Sequence, residues 1–245
     1  MDKIIFRRRL LLAAGLCCAV PLAARAERVT GSGRIRKQTR APGPFTGVSL
    51  SIPAMLQARP GPTDSVTIEA DDNLLALIET VVEDGTLRIR PLRRALDLHN
   101  ARIRIVVQAR TLNALSVGGS GTIDAHGLRT PLLRTDVGGS GAIRLHGLET
   151  DALDVNLGGS GNLDAVGSAR RVTVGVGGSG NVKLDGMRAV HATVSLAGSG
   201  NVLLNVREAL KVTIAGSGDV DYYGDPQVSK TVAGSGQVRR LGPGR

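Results

Sequence analysis

Large aromatic rings are nearly missing from this chain. Of its 245 residues two are Phe, two are Tyr and none is Trp. A core built without such anchors has to be filled by Val, Leu, Ile and Ala, and the apolar fraction of 42% is enough to fill one. Cysteine is equally scarce. Cys17 and Cys18 are the only two, and both lie in an N-terminal segment with the features of an export signal. Beyond that segment a disulfide framework and a thiolate metal site are excluded. Long apolar runs are also lacking. The longest, Leu10 to Leu22, falls short of the roughly 20 residues that a membrane-spanning helix needs.

Residues 1–26 read as a signal peptide. Lys3, Arg7, Arg8 and Arg9 form a basic start, Leu10 to Leu22 the apolar stretch, and Ala24-Arg25-Ala26 a cleavage site that makes Glu27 the mature N-terminus. Arg7-Arg8-Arg9-Leu10-Leu11 also resembles a twin-arginine signal, but the motif is incomplete, which favours the general secretory route. Ala14-Gly15-Leu16-Cys17 does not fit a lipidation box. The expected location is therefore periplasmic or secreted. The signal holds five of the 31 basic residues and one of the 21 acidic ones, so the mature chain carries a net charge of +6. That excess suits loose contact with anionic envelope polymers and does not point to nucleic acid, for which the stacking rings are missing.

What the chain has in quantity is glycine, 33 residues, and it is periodic. Gly-Ser-Gly begins at Gly119, Gly139, Gly159, Gly178, Gly198, Gly216 and Gly234, and an isolated copy begins at Gly31. The steps run from 18 to 20 residues. Two residues before each of the seven periodic triplets stand Val117, Val137, Leu157, Val176, Leu196, Ile214 and Val232. Two residues after its last glycine stand Ile123, Ile143, Leu163, Val182, Val202, Val220 and Val238. All fourteen positions are aliphatic, so each unit reads as strand, tight bend, strand. One unit cannot bury its own apolar face, whereas stacked units share a continuous aliphatic column. The period suits one coil of a single-stranded parallel β-helix or solenoid, and seven coils about 4.8 Å apart would make a rod of roughly 30 Å. Glycine is needed where stacked corners approach closely, and the Ser hydroxyl is placed to satisfy a bend amide locally.

In register, Asp124, Arg144, Asp164 and Lys183 would alternate in sign on neighbouring rungs. Asn162, Asn181, Asn201 and Asp219 would form a short amide ladder. Residues 27–112 are more irregular but also β-rich, with strands expected over Phe45 to Ile52, Ser65 to Ala70, Thr86 to Arg90 and Ala101 to Val107. Asp72 to Ile78 reads as a helical turn, Asp84-Gly85 as a tight turn and Pro91 to Asn100 as a connecting loop. The expected organisation is thus a signal (1–26), an N-terminal β-rich half (27–112) and a repeat solenoid (113–245).

Val29-Thr30-Gly31-Ser32-Gly33, Phe45-Thr46-Gly47-Val48, Glu69-Ala70-Asp71-Asp72-Asn73-Leu74, Gly85-Thr86-Leu87-Arg88-Ile89, the serial Gly-Ser-Gly-Asn/Asp-Val units and Asp221-Tyr222-Tyr223-Gly224-Asp225-Pro226 occur in that order. In this order and spacing the chain resembles the bacterial GIN-domain family, described as heads of autotransporter adhesins. The resemblance covers essentially the whole mature chain. It implies a right-handed β-helix-like fold and an envelope or secreted location. It brings no catalytic residues.

The residues themselves offer little chemistry. The repeated serines lack the second flanking glycine of a hydrolase elbow, since Thr122 stands there in the first copy and Ala142, Asn162, Asn181 and Asn201 in later ones, and a nucleophile has no reason to recur seven times. His126 and His146 occupy equivalent places on successive coils, where two imidazoles make a weak transition-metal site against a plain surface role. The acid at Asp124 falls one place late for a calcium β-roll. A polysaccharide lyase or hydrolase on a β-helix is the alternative function, but carboxylates are scattered and rings absent. Arg88, Arg90, Arg102 and Arg104 alternate with aliphatics as a solvated strand face or a cationic patch for lipopolysaccharide or peptidoglycan. No catalytic, cofactor or metal residue is assigned. The expectation is a non-enzymatic structural or binding module of the envelope, adhesin-like, with an envelope protein or glycan as partner.

Overall fold

The computed structural model describes residues 27–93, 96–97 and 102–244. The expected signal peptide and part of the loop around Pro91 to Asn100 lie outside the described residues. The first strands are β1 (Glu27–Arg28), β2 (Ile35–Arg40), β3 (Gly47–Leu50), β4 (Met55–Pro60) and β5 (Ser65–Asp71). A single helical turn follows, α1 (Asp72–Leu75), then β6 (Ile78–Glu83), β7 (Thr86–Pro91), β8 (Leu96–Asp97) and β9 (Arg104–Ala109). The repeats comprise β10 (Ala114–Val117), β11 (Thr122–His126), β12 (Arg129–Val137), β13 (Ala142–Leu157), β14 (Asn162–Val176), β15 (Asn181–Gly198) and β16 (Asn201–Gly216). The last strands are β17 (Val220–Tyr223), β18 (Gln227–Gly234) and β19 (Val238–Gly242).

The fold is an all-β solenoid of about six turns with a more irregular N-terminal sheet. Successive repeats pair in parallel and in register. Ile143 faces Ile123 and Leu163, and Leu157 faces Val137 and Val176. Seven corners bound six turns, one fewer than seven coils, because only β19 follows the last triplet.

Why the chain coils is visible in its burial pattern. Along the coil that starts at Gly121 the buried positions are 121, 123 and 125, then 128 and 130, then 133, 135 and 137. Period-2 alternation slips at 126–127 and again at 131–132, so each slip turns the strand outward and three short faces close around one core. Gly127 and Gly147 make the first of these turns with φ of 63° and 68°, a conformation open chiefly to glycine. Of the fourteen expected aliphatic positions, twelve are at most 2% exposed; Val232 and Val238 of the last coil are not among them. At roughly 1.5–3 kcal/mol per buried aliphatic side chain, these columns are the main stabilising term.

The N-terminal part joins the same stack in a different chain order. β3 pairs in parallel with β10 on one side and β7 on the other, while β4 pairs with β11 and β9. Antiparallel pairing closes this end: β5 lies between β9 and β2, and β6 folds onto β7 through Asp84-Gly85, both with positive φ. Arg40 Nη2 donates to the Leu75 carbonyl at 2.8 Å and its Nη1 to that of Ile78 at 2.7 Å, fixing the turn of α1. Burial of this guanidinium lowers its pKa from the usual arginine value.

The isolated triplet at Gly31 is not a coil corner. Gly33 donates its backbone N–H to Asp71 Oδ1 at 2.7 Å, and Ser32 Oγ donates to Asp72 Oδ1 at 2.5 Å. Ser32 N donates to Asn73 Oδ1, and Asn73 Nδ2 returns a bond to the Thr30 carbonyl. The triplet is therefore held by the Asp71-Asp72-Asn73 turn at the closed end of the stack.

Candidate functional site

The seven triplets form one edge of the rod. From the third corner on, the amide of the serine points back along the stack, with Ser160 N donating to Gly139 O and Ser179 N to Gly159 O, each at 3.1 Å. Local satisfaction by the Ser hydroxyl is thus not how the bend is built. The preceding coil supplies the acceptor, which is possible because the backbones come so close. A Cβ on Gly159 would collide with the Gly139 carbonyl, and one on Gly161 with the Gly141 carbonyl. The serine side chains are exposed, and their hydroxyls make no hydrogen bond among the described residues. The row is thus a line of hydroxyls at strand spacing.

Beside it runs the amide ladder. Asn181 Nδ2 donates to Asn162 Oδ1 and Asn201 Nδ2 to Asn181 Oδ1, both at 3.2 Å. The Asp219 amide continues it to Asn201 Oδ1 at 3.3 Å, and Gln237 N reaches Asp219 Oδ1 at 2.9 Å. The sequence pattern located this ladder up to Asp219; Gln237 is an addition. Such a chain fixes each amide in one orientation, giving a rigid row of donors and acceptors.

Charged columns stand on the same face. Asp124, Arg144, Asp164 and Lys183 are in register as expected. Arg144 Nη1 lies 3.4 Å from Asp124 Oδ1, whereas Asp164 and Lys183 make no ion pair among the described residues. Farther along, Arg239 bonds both oxygens of Asp221 at 2.8 and 3.1 Å, which raises its pKa.

The basic strand face does not form a free cationic patch. Arg90 Nε lies 2.6 Å from Glu79 Oε2 and its Nη2 2.8 Å from Glu83 Oε1, and Arg88 Nε lies 2.8 Å from Glu83 Oε2. The two carboxylates come from β6, a strand that the sequence reading did not place, and hydrogen bonds to them raise the Arg90 pKa. Arg102 and Arg104 remain exposed. Arg104 borders a hollow of about 320 Å³ with Lys37, Met55, Gln57, Thr67 and Glu69.

His126 and His146 stack face to face, with ring centroids 4.7 Å apart and planes 13° from parallel. No group of three or more His, Cys, Asp or Glu gathers as metal ligands among the described residues. A further hollow of about 330 Å³, lined by Arg188, Asn205, Arg207 and Asp225, lies where the coils shorten. There the register between β15 and β16 jumps from Leu184 opposite Leu204 to Ala189 opposite Val206. The drop from 20 to 18 residues in the repeat step was the sequence signal for this ledge.

A family model described as "Putative auto-transporter adhesin, head GIN domain" matches residues 44–226. Among solved structures, the chain is similar to a putative adhesin from Bacteroides fragilis, with 23% identity and a TM-score of 0.78 over 87% of this chain and all of that one. It is similar to a putative lipid binding protein from Parabacteroides distasonis at 23% identity and a TM-score of 0.74, over 88% of this chain and 100% of that one. A putative adhesin from Parabacteroides merdae gives 19% and 0.65, again over 88% and 100%. At these identities the likeness is one of fold. No curated protein matches at a significant level. No helix among the described residues is long and apolar enough to cross a membrane.

Proposed function

The chain belongs to the family of auto-transporter adhesin head GIN domains, and on that premise we propose that it is an exported, adhesin-like structural or binding module of the cell envelope that catalyses no reaction. The observation that carries this reading is the polar edge. Exposed serines and a hydrogen-bonded amide ladder run side by side along a rod whose interior is closed aliphatic packing. Their spacing repeats at about 4.8 Å. A rigid, repeating row of this kind suits a partner that is itself extended and polar, an envelope glycan or a protein segment. Binding there needs little reordering, since each amide is already held by its neighbour.

The contact does not rest on Arg88 and Arg90, whose charge Glu79 and Glu83 balance. The location that goes with the reading is the periplasm or the exterior, reached through the N-terminal signal. The test is capture of envelope fractions on the immobilised protein, with Asn181→Ala/Asn201→Ala and Arg88→Glu/Arg90→Glu as variants. Retention of one defined component, lost with the asparagine pair and kept with the arginine pair, is the expected result. Equal capture by the asparagine variant overturns the ladder as the contact. Failure to retain anything from any fraction overturns the binding role.

A further inference from the structure

Two inner columns of the solenoid do not end in aliphatics. One of them runs Val155, Val174, Val194, Val212, each facing the next in register, and the next position is Lys230. A second runs Leu184, Leu204, Tyr222, and the next position is Arg240. Residues paired in a parallel ladder point to the same face, so both cations project from the side that would carry the core of any further coil. Their neighbours on that side remain apolar. Val228 is 36% exposed, Val232 40%, and Val238 packs partly against the core. All eight residues of β18 are exposed.

Lys230 has no ion-pair or hydrogen-bond partner among the described residues. Arg240 turns aside instead, donating from Nε to the Gly224 carbonyl at 2.7 Å. A lysine in this place can lay its methylene stem over Val212 while its ammonium stays in water. A strand added against β18 would have to bury that ammonium unpaired, at a prohibitive desolvation cost.

We propose that Lys230 is a gatekeeper: it closes the C-terminal end of the solenoid against a second copy of this chain, which would otherwise stack on the exposed β18 edge through Val228 and Val232. The opposite end is closed independently. There the edge strands are β2, which carries Arg36, Lys37 and Arg40, and β6, which carries Glu79 and Glu83. Removing the charge at position 230 therefore opens one end only. Two such ends meet across a two-fold axis and the contact closes at a dimer rather than a filament.

The experiment is light scattering after gel filtration on the purified protein and on Lys230→Val, Lys230→Glu and Lys211→Val. Lys211 sits on the outward face of β16 and serves as the control. The expected outcome is a doubling of mass for Lys230→Val alone, with slower amide exchange in β18. Adding Val232→Lys to Lys230→Val restores a charge to the inner row and should return the monomer. A monomeric Lys230→Val protein, verified as folded by circular dichroism, overturns the proposal. So does a dimer of Lys230→Glu or of the unsubstituted protein, since the charge would then not be what gates the contact. Open-ended polymers of Lys230→Val would overturn the closure of the opposite end.

Discussion

Asp71 Oδ1 accepts the backbone N–H of Gly33 at 2.7 Å across 38 residues of chain, and the carboxylate that does so is only 6% exposed. This bond secures the segment before β2 to the end of the stack. Asp71→Ala leaves the Gly33 amide without its charged acceptor, a change worth about 1.5–3 kcal/mol. The expected result is a lower urea midpoint with an unchanged slope, and faster amide exchange confined to residues near 31–40. A loss below about 0.5 kcal/mol, the level of an inert surface change, would show that the clamp is ornamental.

Asp72 is held below the usual carboxylate range, first by the Ser32 hydroxyl and then by the charges of Arg34 and Arg36. A group whose folded pKa is depressed contributes stability above its unfolded value, about 3.9, and loses it as the pH falls through the folded value. Holding of the triplet should therefore be complete at neutral pH and weaken only in acid. An NMR titration should place Asp72 low in the unsubstituted protein and nearer the ordinary value in Ser32→Ala. An identical titration curve in both would rule out the hydroxyl as the main cause.

At the corners, glycine and serine should behave oppositely. Gly159→Ala drives a methyl into the Gly139 carbonyl, and overpacking of this kind costs about 1–3 kcal/mol. Ser160→Ala removes a hydroxyl without a partner and should stay within about 0.5 kcal/mol. Thermal or chemical unfolding of the pair reads this directly, and equal effects would contradict the close-approach account.

Asp164→Lys would place three cations on successive rungs, with Arg144 before it and Lys183 after. Like charges directly opposite cost about 0.2–1 kcal/mol, and added salt should recover part of the loss. Reversal of Asp151, an exposed carboxylate with no ion pair among the described residues, is the reference. Indistinguishable midpoints would mean that the column carries no energetic coupling.

The solenoid was legible because its period is written in residues that cannot be exchanged. From Gly139 on the triplet glycines mark corners where a Cβ would meet the preceding coil's carbonyl, and the aliphatics that flank them, Ile143 and Leu157 for example, lie where the alternation put them. The ladders followed from register alone. The N-terminal end was less readable. Within β4 only Leu56 and Ala58 are buried, and Pro53 and Pro60 bracket the segment, too short an alternation to announce a strand. β6 has one fully buried residue, Ile78, so its glutamates could not be foreseen opposite Arg88 and Arg90. The Gly-Ser-Gly at position 31 differs locally from those at the corners chiefly in being preceded by Thr30 rather than by Gly or Ala. What makes it a clamped strap is a turn forty residues away, and no local pattern carries that information.

The placement of β3 and β4 between coils made later in the chain has a kinetic consequence. Gly47 waits for Thr86 on one side and Ala114 on the other, so this first coil has no neighbour until β7 has emerged and lacks its second until β10 follows. Assembly at this end requires a costly, long-range nucleus. Past Ala142 each arriving coil needs only the one before it, 18 to 20 residues back, and growth becomes a zipper that adds one rung at a time. A chain threaded through a membrane from its N-terminus would then fold in two phases: a slow start once the nucleus is complete, then closure as fast as the repeats appear.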